Sequence, residues 1–472
     1  MVLHDKPLFR FGEGLSTVAE NGRIDRMTPE RFSSWVENYL IFTRPAKDAP
    51  AVESIGKDLA AKILAADQFT DQIRELKSVS EVRLPVWRLD GETRTVDLAP
   101  EGYDAGSGIF TVDRIPYQED MPADEGWRVL WDALREFPWD PEGIEHAPHR
   151  RSVAAQFAVM FGTYCGALFP EGTPRPLIIF NANQSGSGKS LLMRFALSAV
   201  YGPPAESGKP DTESEFEKVL DTAALARLPF LVLDDCRNLH SQALNRFVTS
   251  PVHACRKMHS QVMATVTKNT QVLATGNALT ISEDLDRRAL VIDLFVPGEA
   301  VGRKFNREIT PAWLSSHTTR ARFLAALWAL VRRWRDEGMP MNTEYRRGSF
   351  EEWSGLIGGM VLACGMSNPF APRQAANGGD EAGRALTQVI GDIVGAYETA
   401  IPPILTPTQI LERAEADDLL DTIVGGAKDP KKTLGWRLKK LKGRHLLDSQ
   451  KRKYEFGRRE AETGAKYLIR FL

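Results

Sequence analysis

The spacing of apolar residues changes period several times along the chain, and each change marks an element. Thr28-Pro29-Glu30 opens a helix, with Thr as its cap and Pro in its first turn, that runs through Phe32, Val36 and Tyr39. Apolar residues recur at helical spacing from Ile55 to Leu76. Residues 82–89 and 94–98 read as strands split by Asp90-Gly91, a hairpin signal. Residues 102–106 read as a loop. Helical spacing returns at 124–137, which carries Trp127, Leu130, Trp131 and Leu134, and 152–168 is apolar enough for a buried helix.

Between residues 175 and 297, short apolar runs alternate with helical stretches, the pattern of a mainly parallel α/β core. The predicted strands are 177–180, 230–233, 271–275 and 290–295. Residues 310–366 are helical again. Gly, Asn, Pro and Ala crowd the linker that follows, and 380–472 reads as a small helical, basic domain.

Composition adds bounds. At roughly 150 residues per domain, 472 residues allow about three domains. An apolar share of 43% and a charged share of 26% exclude disorder of the whole chain. Cys165, Cys236, Cys255 and Cys364 are spaced too widely for a zinc site or a disulfide framework, so a reducing cytoplasm is expected. No basic segment followed by an apolar run opens the chain, so no signal peptide is read. The longest apolar run, 323–331, is too short to span a membrane, and no membrane partner is expected. Charge is unevenly placed: the net −2 hides +9 over residues 429–472 and −11 over the rest.

The strongest motif is Asn183-Gln184-Ser185-Gly186-Ser187-Gly188-Lys189-Ser190, between a predicted strand and a predicted helix. In that context glycines let backbone N–H groups close around phosphates at a helix N-terminus, which makes this stretch a P-loop and ATP its expected ligand. Lys189 would reach the β- and γ-phosphates and Ser190 would hold Mg²⁺. Asn183 stands where the pattern has its first Gly, and Asn tolerates a left-handed backbone there. The strand at 230–233 ends in Asp234-Asp235. The first acid suits the Mg²⁺ shell and the second suits polarisation of an attacking water. The strand at 271–275 leads into Gly276-Asn277, whose amide would sit between the two motifs and orient the water. Asp286-Arg287-Arg288 precedes the last strand.

The basic tail carries its own pattern. Residues 406–424 read as one helix and 431–447 as another, with Leu434, Leu441 and Leu446 apolar. The other face of the second helix is basic. Residues 453–456 and 466–471 read as two strands around a charged loop. Helices followed by such a ribbon point to a winged helix, with 431–447 as recognition helix and 452–466 as wing. Lys432, Arg437, Lys440, Arg444 and Arg452 are then the expected DNA contacts.

A P-loop, Asp234-Asp235, a strand ending at Asn277 and arginines soon after: this order resembles AAA+ ATPases of the superfamily 3 helicase type. Residues 254–266, with Lys257 and His259, look like the hairpin that lines the DNA channel in viral superfamily 3 and MCM helicases. Leu84-Pro85-Val86-Trp87-Arg88-Leu89-Asp90-Gly91, Gly102-Tyr103-Asp104, Ala274-Thr275-Gly276-Asn277 and Gly348-Ser349-Phe350-Glu351-Glu352-Trp353 are similar to phage and plasmid primase-helicases. The resemblance covers roughly residues 80–365 and implies a ring, a hexamer, that travels 3′→5′ on a single strand. It implies that Arg288 reaches a neighbour's γ-phosphate, and that a primase or polymerase is a further partner. No primase domain is expected upstream, since residues 1–80 are too few and lack a zinc pattern.

The expected fold class is therefore α/β: an AAA+ core with a mainly parallel sheet and a helical lid at 116–366, after a mixed α+β accessory domain at 1–115. A linker at 367–379 and a winged-helix-like domain at 380–472 complete the chain. The expected function is an ATP-dependent DNA helicase or translocase in replication of a phage, plasmid or other mobile element. The alternatives are an ATP-switched initiator or helicase loader that binds origin DNA, and a defence ATPase that recognises DNA.

Overall fold

The structure, a computed structural model, describes residues 7–12, 14–45, 47, 51–142, 144–256, 263–296, 306, 308–373, 381–397, 404–424, 429–441, 445–450, 452–461 and 464–471. The chain forms two compact units, Met1–Pro372 and Arg373–Leu472.

In the first unit, an antiparallel sheet of Leu8–Phe11, Gly14–Val18 and Ile24–Arg26 packs with the helix Pro29–Val36 around a small core of its own. Thr28 caps that helix as its sequence predicts, accepting the Arg31 N–H at 3.3 Å. The stretch 55–76 divides into Lys57–Leu64 and Asp67–Thr70. Pro85–Asp90 and Thr93–Leu98 form the predicted hairpin. Residues 102–104, read as a loop, form a strand beside Ile109–Thr111. Val82, Val96 and Leu98 lie in the main apolar core, so residues from about 80 onward share a core with the parallel-sheet region.

That region is a three-layer sandwich. Its helices are α1 (Ala123–Leu134), α2 (Arg151–Tyr164), α3 (Lys189–Tyr201), α4 (Glu213–Leu225), α5 (Gln242–Thr249), α6 (His317–Asp336) and α7 (Glu351–Ala363). Its strands are β1 (Leu177–Ala182), β2 (Ser207–Gly208), β3 (Phe230–Leu239), β4 (Val252–Arg256), β5 (Met263–Thr267), β6 (Gln271–Ile281) and β7 (Ala289–Leu294). Five of these make a parallel sheet in the order β2-β3-β6-β1-β7. Alternate residues serve opposite faces: Ile178, Phe180, Val232, Leu273 and Ile292 pack toward α2, α3 and α6, whereas Leu177, Ile179, Leu231, Val272 and Val291 pack toward α4 and α5. Burial on both faces explains why these strands read as unbroken apolar runs. The strand carrying Asn277, β6, lies between β1 and the acidic strand β3, and β4 and β5 form an antiparallel hairpin between β3 and β6 in sequence.

At the base of that hairpin, Lys268 is only 4% exposed and lies 4.8 Å from the centroid of Phe247. Burial, and secondarily Arg175, pushes its pKa down to about 8. The folded state therefore disfavours the charged ammonium. The penalty is fully present below pH 8 and disappears as pH rises toward the unfolded value of 10.5. Lys268→Met is expected to raise stability at pH 7 by a few kcal/mol, on the order of 3. In paired melting curves that advantage should shrink between pH 8 and 10.5.

The second unit contains α8 (Glu381–Gly395), α9 (Pro407–Ala416), α10 (Leu420–Val424) and α11 (Pro430–Leu441). Its strands β8 (Ile404–Leu405), β9 (His445–Leu447), β10 (Lys453–Ala461) and β11 (Gly464–Phe471) form an antiparallel sheet in the order β8-β11-β10-β9. Leu386, Ile390, Ile410, Leu434, Leu438, Tyr454, Phe456 and Ile469 fill its core. The helix read at 406–424 is two helices, because Asp418 turns left-handed (φ 56°) and Leu419 N–H folds back to the Ala414 carbonyl at 2.8 Å. The helix read at 431–447 stops at Leu441 and its last residues become β9.

Candidate functional site

β1 ends at Ala182, the chain turns through residues 183–188, and α3 begins at Lys189. Gly186 (φ 75°) and Gly188 (φ 94°) take the left-handed backbone that an L side chain resists, and a Cβ on Gly188 would sit 3.3 Å from the Phe137 ring. Asn183 works differently from expectation. It is not among the left-handed residues. Instead its side chain clamps the main chain after β7, donating to the Val296 carbonyl at 2.9 Å and accepting the Val296 N–H at 3.0 Å. Gln184 donates to the same carbonyl at 3.1 Å. Ser185 is exposed, and Ser187 is buried with an Oγ that finds no partner among the described residues. Lys189 is only 9% exposed, at the start of a helix whose first N–H groups point toward the loop.

Across the loop, Ser190 Oγ donates to Asp234 Oδ1 at 3.1 Å. Thr275, fully buried on β6, donates to the same oxygen at 2.5 Å and accepts the Asp235 N–H at 3.1 Å. One hydroxyl thus fixes both acids. It does so at a register shift between Leu233 and Cys236, where Asp235 turns left-handed (φ 52°) and stays exposed. Among the described residues no group of three or more His, Cys, Asp or Glu is arranged to hold a metal ion. Mg²⁺ does not need one: it takes one or two protein oxygens plus water and phosphate, and Ser190 Oγ with Asp234 Oδ1 is such a pair.

Asn277 pairs with Ala182, at the mouth of the loop, and its Oδ1 is buried without a hydrogen-bond partner among the described residues. The preceding Gly276 is packed so closely that a Cβ there would lie 2.4 Å from the Cys236 carbonyl oxygen. Gly276→Ala must push β3 and β6 apart. Its expected cost is about 1–3 kcal/mol, with displacement of Asp235 and Asn277, read as a lower denaturation midpoint.

Arg288 lies elsewhere. It precedes β7, and its carbonyl accepts the Leu177 N–H at the start of β1. The P-loop follows the other end of β1, about 20 Å away at about 3.3 Å per residue. Its guanidinium donates to the Asp284 carbonyl at 2.7 Å and is 31% exposed, while Arg287 is 69% exposed and bonds Asp284 Oδ1 at 2.5 Å.

The hairpin β4–β5 is rooted by His253, whose Nε2 lies 2.7 Å from Asp221 Oδ1 and whose ring meets Phe247 edge-on. Lys257 and His259 lie outside the described residues, as does Arg444. Lys432 is exposed in the first turn of α11, Arg437 is half-buried on the same helix, and Lys440 is on its last turn. Arg452 is committed to the fold. It bonds Asp448 at 2.6 Å and the carbonyls of Val394, Gly395 and Tyr397 at the end of α8, and lies over the Phe471 ring. Arg452→Ala is therefore expected to lower stability by about 2 kcal/mol in chemical denaturation, more than any exposed basic residue would.

The sequence motifs do not single out Thr275, Asn181, Asp293 or Arg151. For the first three the signal is a polar residue inside an apolar strand; Arg151, which opens α2, carries no such signal.

No family model and no curated protein matches the chain. Among solved structures, the apo C-terminal region (305–718) of NrS-1 aligns with 98% of this chain and 96% of its own, at 11% identity and a TM-score of 0.35. The JCV helicase, solved with a bound acetamide compound, aligns with 45% of this chain and 61% of its own, at 15% identity and a TM-score of 0.21. Likenesses this weak carry no argument about function. Among the described residues no helix is long and apolar enough to cross a membrane.

Proposed function

We propose that the chain is an ATP-driven DNA helicase or translocase acting in replication of a phage, plasmid or other mobile element, and that it works as a ring of identical subunits, a hexamer. The observation that carries this reading is the convergence of Ser190, Asp234, Thr275 and Asn277 on one loop at the ends of adjacent parallel strands. In this reading the first N–H groups of α3 and Lys189 hold the ATP phosphates. Mg²⁺, held by Ser190 and Asp234, would neutralise phosphate charge. Asp235 takes the proton of the attacking water, and Asn277 orients that water. Arg288 serves the neighbouring subunit's nucleotide. The hairpin tip with Lys257 and His259 grips a single strand. Lys432, Arg437, Lys440 and Arg444 hold duplex or origin DNA, with Arg452 bracing the sheet behind them.

A strand-displacement assay with 5′- and 3′-tailed forks tests this. The wild type should open one fork type with ATP, and Lys257→Ala should lose displacement while keeping most ATP hydrolysis. Deleting residues 429–472 should weaken duplex binding and flatten its salt dependence, because fewer counterions are released. ATP-dependent assembly on duplex without displacement of either fork would favour an initiator or loader.

A further inference from the structure

The residue before the last of β1 is polar, in a strand whose other side chains are apolar: Leu177, Ile178, Ile179, Phe180, Asn181, Ala182. Its amide uses both ends, and each end reaches a different strand. Asn181 Nδ2 donates to Asp293 Oδ1 on β7 at 3.0 Å, and Asn181 Oδ1 accepts the Leu279 N–H on β6 at 3.1 Å.

The second bond falls where β6 needs it. Backbone pairing between β1 and β6 ends at Ala182 and Asn277, because the chain then leaves β1 for the P-loop. Beyond that point β6 continues to Ile281 with only β3 beside it among the described residues, pairing at Thr280 and Ile281. Asn181 supplies the missing bond on the P-loop side. Asn277 therefore sits between a backbone pair and a side-chain tether two residues on. Gly276, wedged under the Cys236 carbonyl, holds it from behind.

The other end of the amide is anchored in a buried polar network. Asp293 Oδ2 accepts from Arg151 Nη2 at 3.3 Å, and Arg151 Nη1 donates to the Val291 carbonyl at 2.7 Å. The Asp293 N–H donates to Ser152 Oγ at 3.1 Å. Ser152 Oγ in turn donates to Glu142 at 2.6 Å, and the Glu142 carboxylate accepts the Arg151 and Ser152 N–H groups that open α2. A satisfied network of this kind is rigid, and a partly satisfied one costs more than an apolar replacement. The amide is explained by the two strands it joins.

We infer that Asn181 is a positioning residue that sets Asn277 against the P-loop, with Asp293 and Arg151 as its fixed base. This rests on the proposed role of Asn277 toward the attacking water. Asn181 itself touches neither nucleotide nor water. Its loss should therefore affect turnover and leave ATP capture unchanged.

The test compares wild type, Asn181→Ala, Asn277→Ala and the Asn181→Ala/Asn277→Ala double variant. Each is measured for kcat, KM, binding of a fluorescent ATP analogue and melting midpoint. Asn181→Ala should lower kcat by about tenfold to a hundredfold, the scale of a misplaced catalytic group, with KM and analogue affinity within about twofold. In the Asn277→Ala background the same change should alter kcat by less than about twofold, because the two residues act as one unit. The Asn181→Asp/Asp293→Asn exchange keeps one carboxylate and one amide in contact and should recover kcat that Asn181→Asp alone loses. An Asn181→Ala enzyme with wild-type kcat overturns the inference. So does a variant whose affinity, kcat and melting midpoint fall together with no recovery in the exchange, since that marks a fold-stabilising residue only. A wild type that binds no ATP overturns the parent reading and this one with it. Turnover by wild type that Asn181→Ala leaves untouched overturns this one alone.

Discussion

Lys189→Ala is expected to reduce ATP hydrolysis by a thousandfold or so, to background. The side chain opens α3 and is nearly buried, and in the proposed reading its ammonium, the one charge of the motif, meets the β- and γ-phosphates. The fold should survive, since Ala favours a helix and removing a buried charge relieves its desolvation. Loss of turnover with an unchanged melting midpoint is the result that supports the assignment, and normal turnover removes it. Asp235→Asn gives the contrast. Asp235 is exposed and left-handed, and Asn tolerates that backbone as well as Asp does. Asp234 is already bound by Ser190 and Thr275, so Mg²⁺–ATP binding should persist while hydrolysis falls about a hundredfold or more. If Asp235→Asn instead abolishes Mg²⁺–ATP binding, the two aspartates have exchanged roles.

The parts of the fold legible in sequence are those whose signal is local. Strand runs such as Leu177-Ile178-Ile179-Phe180 are apolar because both faces are covered, and Thr28-Pro29 marks a helix start by itself. The ends of β3 and β6 were not legible. Asp235, Arg237 and Asn238 are polar, and they continue a strand only because β6 runs beside them. The sequence shows the backbone tolerance of Asn183, whereas its side chain is used on Val296, 113 residues away. The same distance problem hid the network around Asn181: its partners Asp293 and Leu279 lie 112 and 98 residues away, and Arg151 lies 142 residues from Asp293. Motif spacing identified the groups expected to do chemistry. It carried no information about the groups that hold them, because those are brought together only by strand order.

Strand order also decides what Arg288 can reach, and so leads to the second large effect. Arg288 stands at the start of β7, beside the start of β1, and the P-loop follows the far end of β1. An arginine side chain extends roughly 7 Å, well short of the strand length of about 20 Å between them. Its own subunit's nucleotide is out of range, so a role in hydrolysis requires a second copy of the chain. ATPase activity should then rise with protein concentration, and Arg288→Ala should lower it by about a thousandfold or more, as loss of a trans arginine does. Mixing separates this from a local defect. Neither Arg288→Ala nor Lys189→Ala should hydrolyse ATP alone. In a random equimolar mixture about a quarter of head-to-tail interfaces place an intact Lys189 opposite an intact Arg288, and a matching fraction of activity should return. The release of Arg288 from Asp284 is part of the same expectation, since its guanidinium now donates to the Asp284 carbonyl. Asp284→Ala removes the 3.6 Å carboxylate contact to Arg288 together with the exposed Arg287 pair, and should leave wild-type activity nearly unchanged. Mixed assemblies that regain nothing, or full activity in a proven monomer, would show that Arg288 braces its own subunit and takes no part in a neighbour's reaction.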